Sequence, residues 1–163
     1  MSRAIIFGGM SAEAQTPSPE LKVLDRFVGS WRLEVVSGQA NGDQEKSTLA
    51  CVFKWSLQGQ YIEARLTDLD GKQIALSLYS YDSDAGVHKM WTFAPNSPKP
   101  TLSTLRWNEL KKTFTGKGDL GNGITEQSTG RFIGNDRIEW TGTTNNASGN
   151  VLGEFKANYL RQK

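Results

Sequence analysis

Three polar residues at alternate positions, Tyr61, Glu63 and Arg65, are the part of this sequence best equipped for chemistry. Residues two apart in an extended strand share one face, so their side chains converge on the same space. A carboxylate there takes up a proton, a guanidinium holds an anionic or carbonyl oxygen, and a phenol donates a proton. Asp70-Gly71, just downstream, reads as a two-residue hairpin turn, and a turn of that length fixes register. With Leu69 opposite Lys72, Thr67 pairs with Ile74, Arg65 with Leu76, Glu63 with Leu78 and Tyr61 with Ser80. If Tyr81 faces His88 across the next loop, Trp91 joins Leu78 and Phe93 joins Leu76. Cross-strand partners share a face. Tyr61, Glu63, Arg65, Ile74, Leu76, Leu78, Trp91 and Phe93 therefore lie together, and Ile62, Ala64, Leu66, Ala75, Ser77 and Tyr79 form the other face. Five large apolar groups are costly to leave in water, which places the first face in the protein interior. There Arg65 would grip an anionic or carbonyl group while Trp91 and Phe93 cover apolar surface. The bland alternative is a surface ion pair on an outer wall.

Other reactive side chains are few. Cys51 is the sole cysteine, so no intramolecular disulfide or cysteine zinc cluster can form. Its setting, Leu49-Ala50-Cys51-Val52-Phe53, suits a small core residue better than a reactive thiol. His88 is the sole histidine, which excludes multi-His metal sites. Asp82-Ser83-Asp84-Ala85-Gly86 hints at a calcium loop but lacks the later ligands, and a turn capped by Asp is the better reading. Arg137 and Glu139 repeat the two-apart spacing beside Trp140 as a solvated strand face. Arg106-Trp107 offers a second cation whose facing the sequence leaves open. Asn146-Ala147-Ser148 is a sequon, with meaning only in a eukaryotic secretory pathway. There is no Gly-x-Ser-x-Gly elbow and no phosphate loop. No metal and no cofactor is expected.

The elements that must position these groups are short. Ser18 as N-cap, Pro19 at the first helical position and Glu20 beside the helix dipole start a helix. Leu21, Leu24, Phe27 and Val28 give it one apolar stripe of about three turns, and Gly29 is placed to end it. From Trp31 onward β-rich runs alternate with turn signals, near 31–37, 48–56, 60–68, 73–81, 88–94, 101–107, 112–118, 124–133, 137–144 and 151–161. Asn122-Gly123, Gly134-Asn135 and the polar loop 145–150 separate the later runs. No helical segment intervenes, which argues against a parallel sheet. The expected fold is all-β: an antiparallel up-and-down β-barrel of about ten strands with a short N-terminal helix. Closure removes exposed edges, so a barrel is preferred to a two-sheet sandwich.

At 163 residues the chain suits one domain. A formal charge of +2, with Lys and Arg scattered, makes nucleic acid an unsuitable partner. No apolar run approaches the roughly 20 residues of a membrane span. Arg3, the apolar Ala4-Ile5-Ile6-Phe7 and Ala12-Glu13-Ala14 before Gln15 resemble pieces of a signal peptide, though the apolar run is short. Residues 1–18 therefore read as a disordered leader or signal-peptide remnant, with export slightly favoured over a cytoplasmic location, and 19–163 as the domain.

A short helix, then Gly29-Ser30-Trp31, then a first strand is similar to the opening of lipocalins and other calycins. In them the tryptophan is a structural plug across the closed barrel end, the role that the resemblance implies for Trp31. The longer string from Pro19 to Trp31 resembles the start of a bacterial family known as domain of unknown function 1579. So do Tyr81-Asp82 with Met90-Trp91-Thr92-Phe93, Phe114-Thr115-Gly116, and the run Glu154 to Arg161. The resemblance implies a calycin-like barrel of unassigned activity that binds a small apolar molecule. Related haem-binding barrels take their axial histidine late in the chain, whereas His88 is central, so that ligand does not carry over.

Three functions fit. The first is a small-molecule binding protein for a hydrophobic ligand, with or without an anionic head, held by Tyr61, Glu63, Arg65, Leu76, Leu78, Trp91 and Phe93. The second is a cofactor-free enzyme of isomerase or cyclase type. There Glu63 is a general base raised in pKa by an apolar lining, Arg65 stabilises an oxyanion and Tyr61 donates a proton. The third is a filled barrel whose outer surface makes a homodimer.

Overall fold

The computed structural model describes residues 18–40 and 42–163. The expected leader therefore lies, but for Ser18, outside the described residues. Ten strands follow a 3-10 helix, Pro19–Arg26: β1 (Gly29–Gln39), β2 (Gln44–Ser56), β3 (Tyr61–Thr67), β4 (Gln73–Asp82), β5 (Val87–Phe93), β6 (Thr101–Asn108), β7 (Thr113–Gly121), β8 (Ile124–Ile133), β9 (Arg137–Asn145) and β10 (Val151–Arg161). Each strand pairs antiparallel with the next, and β1 pairs with β10, so the sheet closes on itself with no free edge. A second, one-turn 3-10 helix, Leu57–Gly59, links β2 to β3.

The N-terminal helix differs from expectation in two ways. It is wound as 3-10 and stops at Arg26, and Ser18 accepts from Leu21 N–H through its carbonyl at 3.0 Å, not through its side chain. Gly29 begins β1, and its φ of +130° lets the chain swing from helix to barrel wall. A side chain there would also meet the Arg161 guanidinium, whose Nη1 lies 2.6 Å from where a Cβ would sit.

The β3–β4 hairpin contains two departures that cancel. Asp68, not Leu69, pairs with Lys72, so the loop is one residue longer than the Asp70-Gly71 signal implies. The Asp68 carboxylate ties it by accepting from the N–H groups of Asp70 and Lys72. Thr67 therefore pairs with Gln73, and a bulge then takes up Ile74. Beyond the bulge the register is the expected one, Arg65 opposite Leu76 and Glu63 opposite Leu78. The next hairpin likewise pairs Tyr81 with His88, Leu78 with Trp91 and Leu76 with Phe93.

The helix closes one end of the barrel. Leu21, Leu24 and Phe27 are buried, and the Phe27 ring sits among Phe53, Phe114 and Phe132 at centroid separations of 5.3, 5.7 and 5.1 Å. Trp31, only 1% exposed, donates from Nε1 to the Phe27 carbonyl at 2.6 Å. The Arg161 guanidinium lies 4.1 Å above the Trp31 ring and donates to the carbonyls of Val28 and Arg26. First strand, last strand and helix are thus fastened at one point.

Candidate functional site

Alternation along the strands decides which side chains meet the lumen. Phe53 on β2, Ile62 and Ala64 on β3, Ser77 on β4, Ser103 on β6 and Ser128 on β8 are buried, while their immediate neighbours on each strand are less so. On the helix side the lumen is filled by packed aromatic rings. Beyond Phe27 it widens into a cavity of about 170 Å³. Phe53, Tyr79, Trp140, Phe155 and Tyr159 line it with Phe27, Met90 and Ala157, and Ser103, Glu126 and Ser128 add polar atoms. Phe27, Phe53 and Tyr79 stand mutually within 6.0 Å by ring centroids, with Tyr159 6.2 Å from Phe53.

Two inward glycines make room for the larger rings. Gly130 pairs with Trp140, and Gly142 with Phe155. A Cβ on Gly130 would fall 2.0 Å from the Trp140 ring, and one on Gly142 would fall 2.5 Å from the Phe155 ring. Each ring therefore lies across the strand beside it, a packing only glycine permits.

Glu126 is the one ionisable acid in this lining. Burial raises its pKa above the ordinary carboxylate value, and a hydrogen bond from the Ser128 hydroxyl partly offsets that. Burial also raises the Tyr79 and Tyr159 phenols, each pushed further by its neighbours, so both stay neutral at physiological pH. Cys51 faces the same interior, fully buried, with its thiol pushed up to about 12 by burial. A thiol so placed is a core residue rather than a nucleophile.

The expected site residues lie elsewhere. Their mutual pairing is as expected from β3 to β5, but that face is the outer wall, and Ile62, Ala64, Ser77 and Tyr79 face inward. Phe93 is 41% exposed and Arg65 has a side chain 52% exposed. The physical reason is room. Phe27 and Phe53 already pack against Ile62, Ala64, Ser77 and Tyr79 in the lumen, so Leu76, Leu78, Trp91 and Phe93 remain outside. Glu63 and Arg65 do meet, at 2.5 Å, with Lys54 3.5 Å from the same carboxylate. The Arg65 hydrogen bond above all lowers the Glu63 pKa. The expected raising by an apolar lining is therefore reversed, and Glu63 stands as an ionised, paired surface carboxylate.

The remaining candidates settle simply. Asp82 accepts from the N–H groups of Asp84 and Ala85, capping its turn. Arg137 and Glu139 form a half-exposed ion pair at 2.6 Å. Arg106 is exposed while Trp107 packs inward on Phe114. His88 is buried beneath the helix, donates from Nε2 to the Glu20 carbonyl at 2.9 Å, and has its pKa lowered by burial. It borders a groove of about 460 Å³ between helix and barrel, shared with Arg26, Tyr81, Trp107 and Glu109.

Glu126 escaped the sequence reading, though a signal exists. Glu126-x-Ser128-x-Gly130-x-Phe132 alternates against exposed Thr125, Gln127, Thr129 and Arg131. A strand face of small residues ending in one acid marks a lumen wall that is not fully packed.

No family model matches the chain, and no curated protein matches it. Solved structures do. Rv2717c from M. tuberculosis superposes with a TM-score of 0.65 at 13% identity, over 90% of this chain and 99% of that one. The fold is lipocalin-like. The S-type phycobiliprotein lyase CPES from Guillardia theta gives 0.60 at 14% identity, over 96% and 99% of the two chains. A protein of unknown function from the DUF3598 family of Nostoc punctiforme gives 0.62 at 10% identity over 85% of this chain. The chain spans about half the length of that protein, 48%. Among the described residues no helix is long and apolar enough to cross a membrane.

Proposed function

We propose that this lipocalin-like barrel binds a small, largely apolar molecule in its lumen. One observation carries the reading: a cavity of about 170 Å³ walled by aromatic rings with a few polar atoms on one side. Small-molecule sites are built in that way, apolar walls with a small number of placed polar groups. An apolar cavity of ~150 Å³ is enough for benzene. The lumen thus suits a molecule of about one ring, and a larger one would have to protrude or displace the lining. The anionic head considered from sequence belonged with Arg65, which is outside; an anion in the lumen would instead face Glu126. The likeness of the Pro19 to Trp31 string to domain of unknown function 1579 supports the same kind of barrel, of a family without assigned activity.

Native mass spectrometry of the freshly purified protein, followed by thermal-shift titration with single-ring compounds, tests the proposal. A co-purifying small molecule, or stabilisation by the compounds that is lost in Gly142→Leu, is the expected result. A clean apo mass together with no stabilisation by any of them overturns it.

A second reading draws on the outer wall. Phe93 and Leu102, each 41% exposed, stand beside Leu76, Leu78 and Trp91 on β4, β5 and β6. Such a stripe, flanked by Glu63 and Arg65, suits a second copy of this chain, because a two-fold contact sets each ion pair against its own image. Sedimentation equilibrium of the wild type and of Phe93→Ser/Leu102→Ser decides it: a wild-type monomer at high concentration rejects the dimer.

A further inference from the structure

Charge inside the lumen narrows what it accepts. Among the described residues, the cavity lining contains no lysine and no arginine, and Glu126 makes no ion pair. Six aromatic residues line that space. A ring face is the negative end of an aromatic quadrupole and attracts cations. A buried carboxylate without a counter-ion is costly, and two things relieve it, a proton or a cation. The raised Glu126 pKa is a sign of that cost.

We propose that the lumen selects a small organic cation, an ammonium-bearing molecule of about one ring, with Glu126 as its counter-ion and the faces of Tyr79, Trp140, Phe155 and Tyr159 around it. This names the ligand class for the lumen-binding reading and rests on it. Three competing ligand types compare unfavourably. An anion meets a carboxylate and negative ring faces. A neutral apolar molecule gains from burial but leaves Glu126 without a counter-ion. A neutral alcohol makes a hydrogen bond, which is weaker than a charge-assisted one. The ammonium gains from the carboxylate and the rings together, and its apolar portion fills the space above Phe27. The room for it exists because Gly142 lets the Phe155 ring lie flat against the wall.

The test is calorimetric titration at pH 7.5 with benzylamine, benzyl alcohol, toluene and benzoate, which share one ring and differ in charge. Benzylamine is expected to bind at least about tenfold more tightly than benzyl alcohol, a preference of roughly 1.4 kcal/mol. Benzoate is expected not to bind. In Glu126→Gln the preference for benzylamine over benzyl alcohol should shrink to within about twofold while toluene binding persists; Glu126→Asp, which keeps the charge, should retain it. If toluene or benzyl alcohol binds the wild type as well as benzylamine does, the cation proposal falls and the lumen-binding reading survives. The same holds if benzylamine selectivity is undiminished in Glu126→Gln. If none of the four binds, both fall. The wild-type series decides the matter even where a variant fails to fold.

Discussion

The two halves of the barrel lumen are built from the same alternation and put to different use. Near the helix, inward positions carry Trp31, Phe53, Phe114 and Phe132, and Phe27 fills the space among them. In the far half the corresponding positions on β7, β8 and β9 carry Gly116, Gly118, Glu126, Ser128 and Gly142, and a cavity remains. Strand geometry is common to both, so side-chain volume alone separates them. The packed core lies at the sealed end, and the other holds space and an acid without an ion pair.

The strongest way to break this contrast is to empty the sealed end. Trp31→Ala removes a fully buried indole and should cost about 3–5 kcal/mol, read as a lower midpoint in urea unfolding. Phe27→Ala should cost a similar amount, about 3–5 kcal/mol. It also removes the floor of the cavity, so a two-ring compound excluded by the wild type should now bind. Failure of the larger compound to bind a folded Phe27→Ala protein would mean that Phe27 is not that floor.

Filling the far end works in the other direction. Gly142→Ala puts a methyl where the Phe155 ring lies, 2.5 Å away. The ring must swing into the lumen, and single-ring ligands should lose affinity about tenfold or more, while unfolding changes by only about 1–3 kcal/mol. A calorimetric titration with unchanged affinity would show that Phe155 relaxes outward instead.

Glu126→Gln has a smaller, pH-dependent effect. The Glu126 pKa is raised by folding, so its contribution to stability is fully present below the unfolded value and lost as pH rises through the folded one. The variant should therefore be somewhat more stable than wild type at pH 7 and lose that advantage towards pH 4. Tyr79 and Tyr159, the other titratable groups of the lining, stay neutral across this range. Equal unfolding midpoints at both pH values would show the carboxyl to be effectively solvated. The smallest effects belong to the outer wall. Arg65→Ala breaks an exposed ion pair worth about 0–1 kcal/mol and should leave ligand affinity in the lumen unchanged.

Much of the fold was legible in the sequence, because turn chemistry and period-two patterning are local. The strand set and the Tyr81–His88 pairing follow from such signals. The site was not. Pairing fixes which residues share a face but not which way the face points, and the sequence reading decided that from residue size. Leu76, Leu78, Trp91 and Phe93 outweigh Ala64, Ser77 and Ala75 on that scale, yet the lumen wall is the face that carries Ile62, Ala64, Ser77 and Tyr79. What reverses the choice is the Phe27 ring, delivered from a helix far away in sequence, whose claim on the interior no local pattern records. Glu126 was hidden for the same reason: beside Thr125 and Gln127 it reads as one more polar residue of an exposed strand.

The pairing of β1 with β10 has a consequence for how the protein is made. Every other strand can zip to its predecessor as it emerges from the ribosome, but the seam joins residues more than a hundred apart in sequence, such as Trp31 and Arg161. Until the last strand arrives, β1 presents an open edge along one side, a template for the wrong neighbour. Arg161 sits at the end of that last strand, and its guanidinium takes up the Val28 and Arg26 carbonyls. The barrel thus cannot shut before β10 has been made, and a nascent chain stalled short of it would be the species most in need of a chaperone.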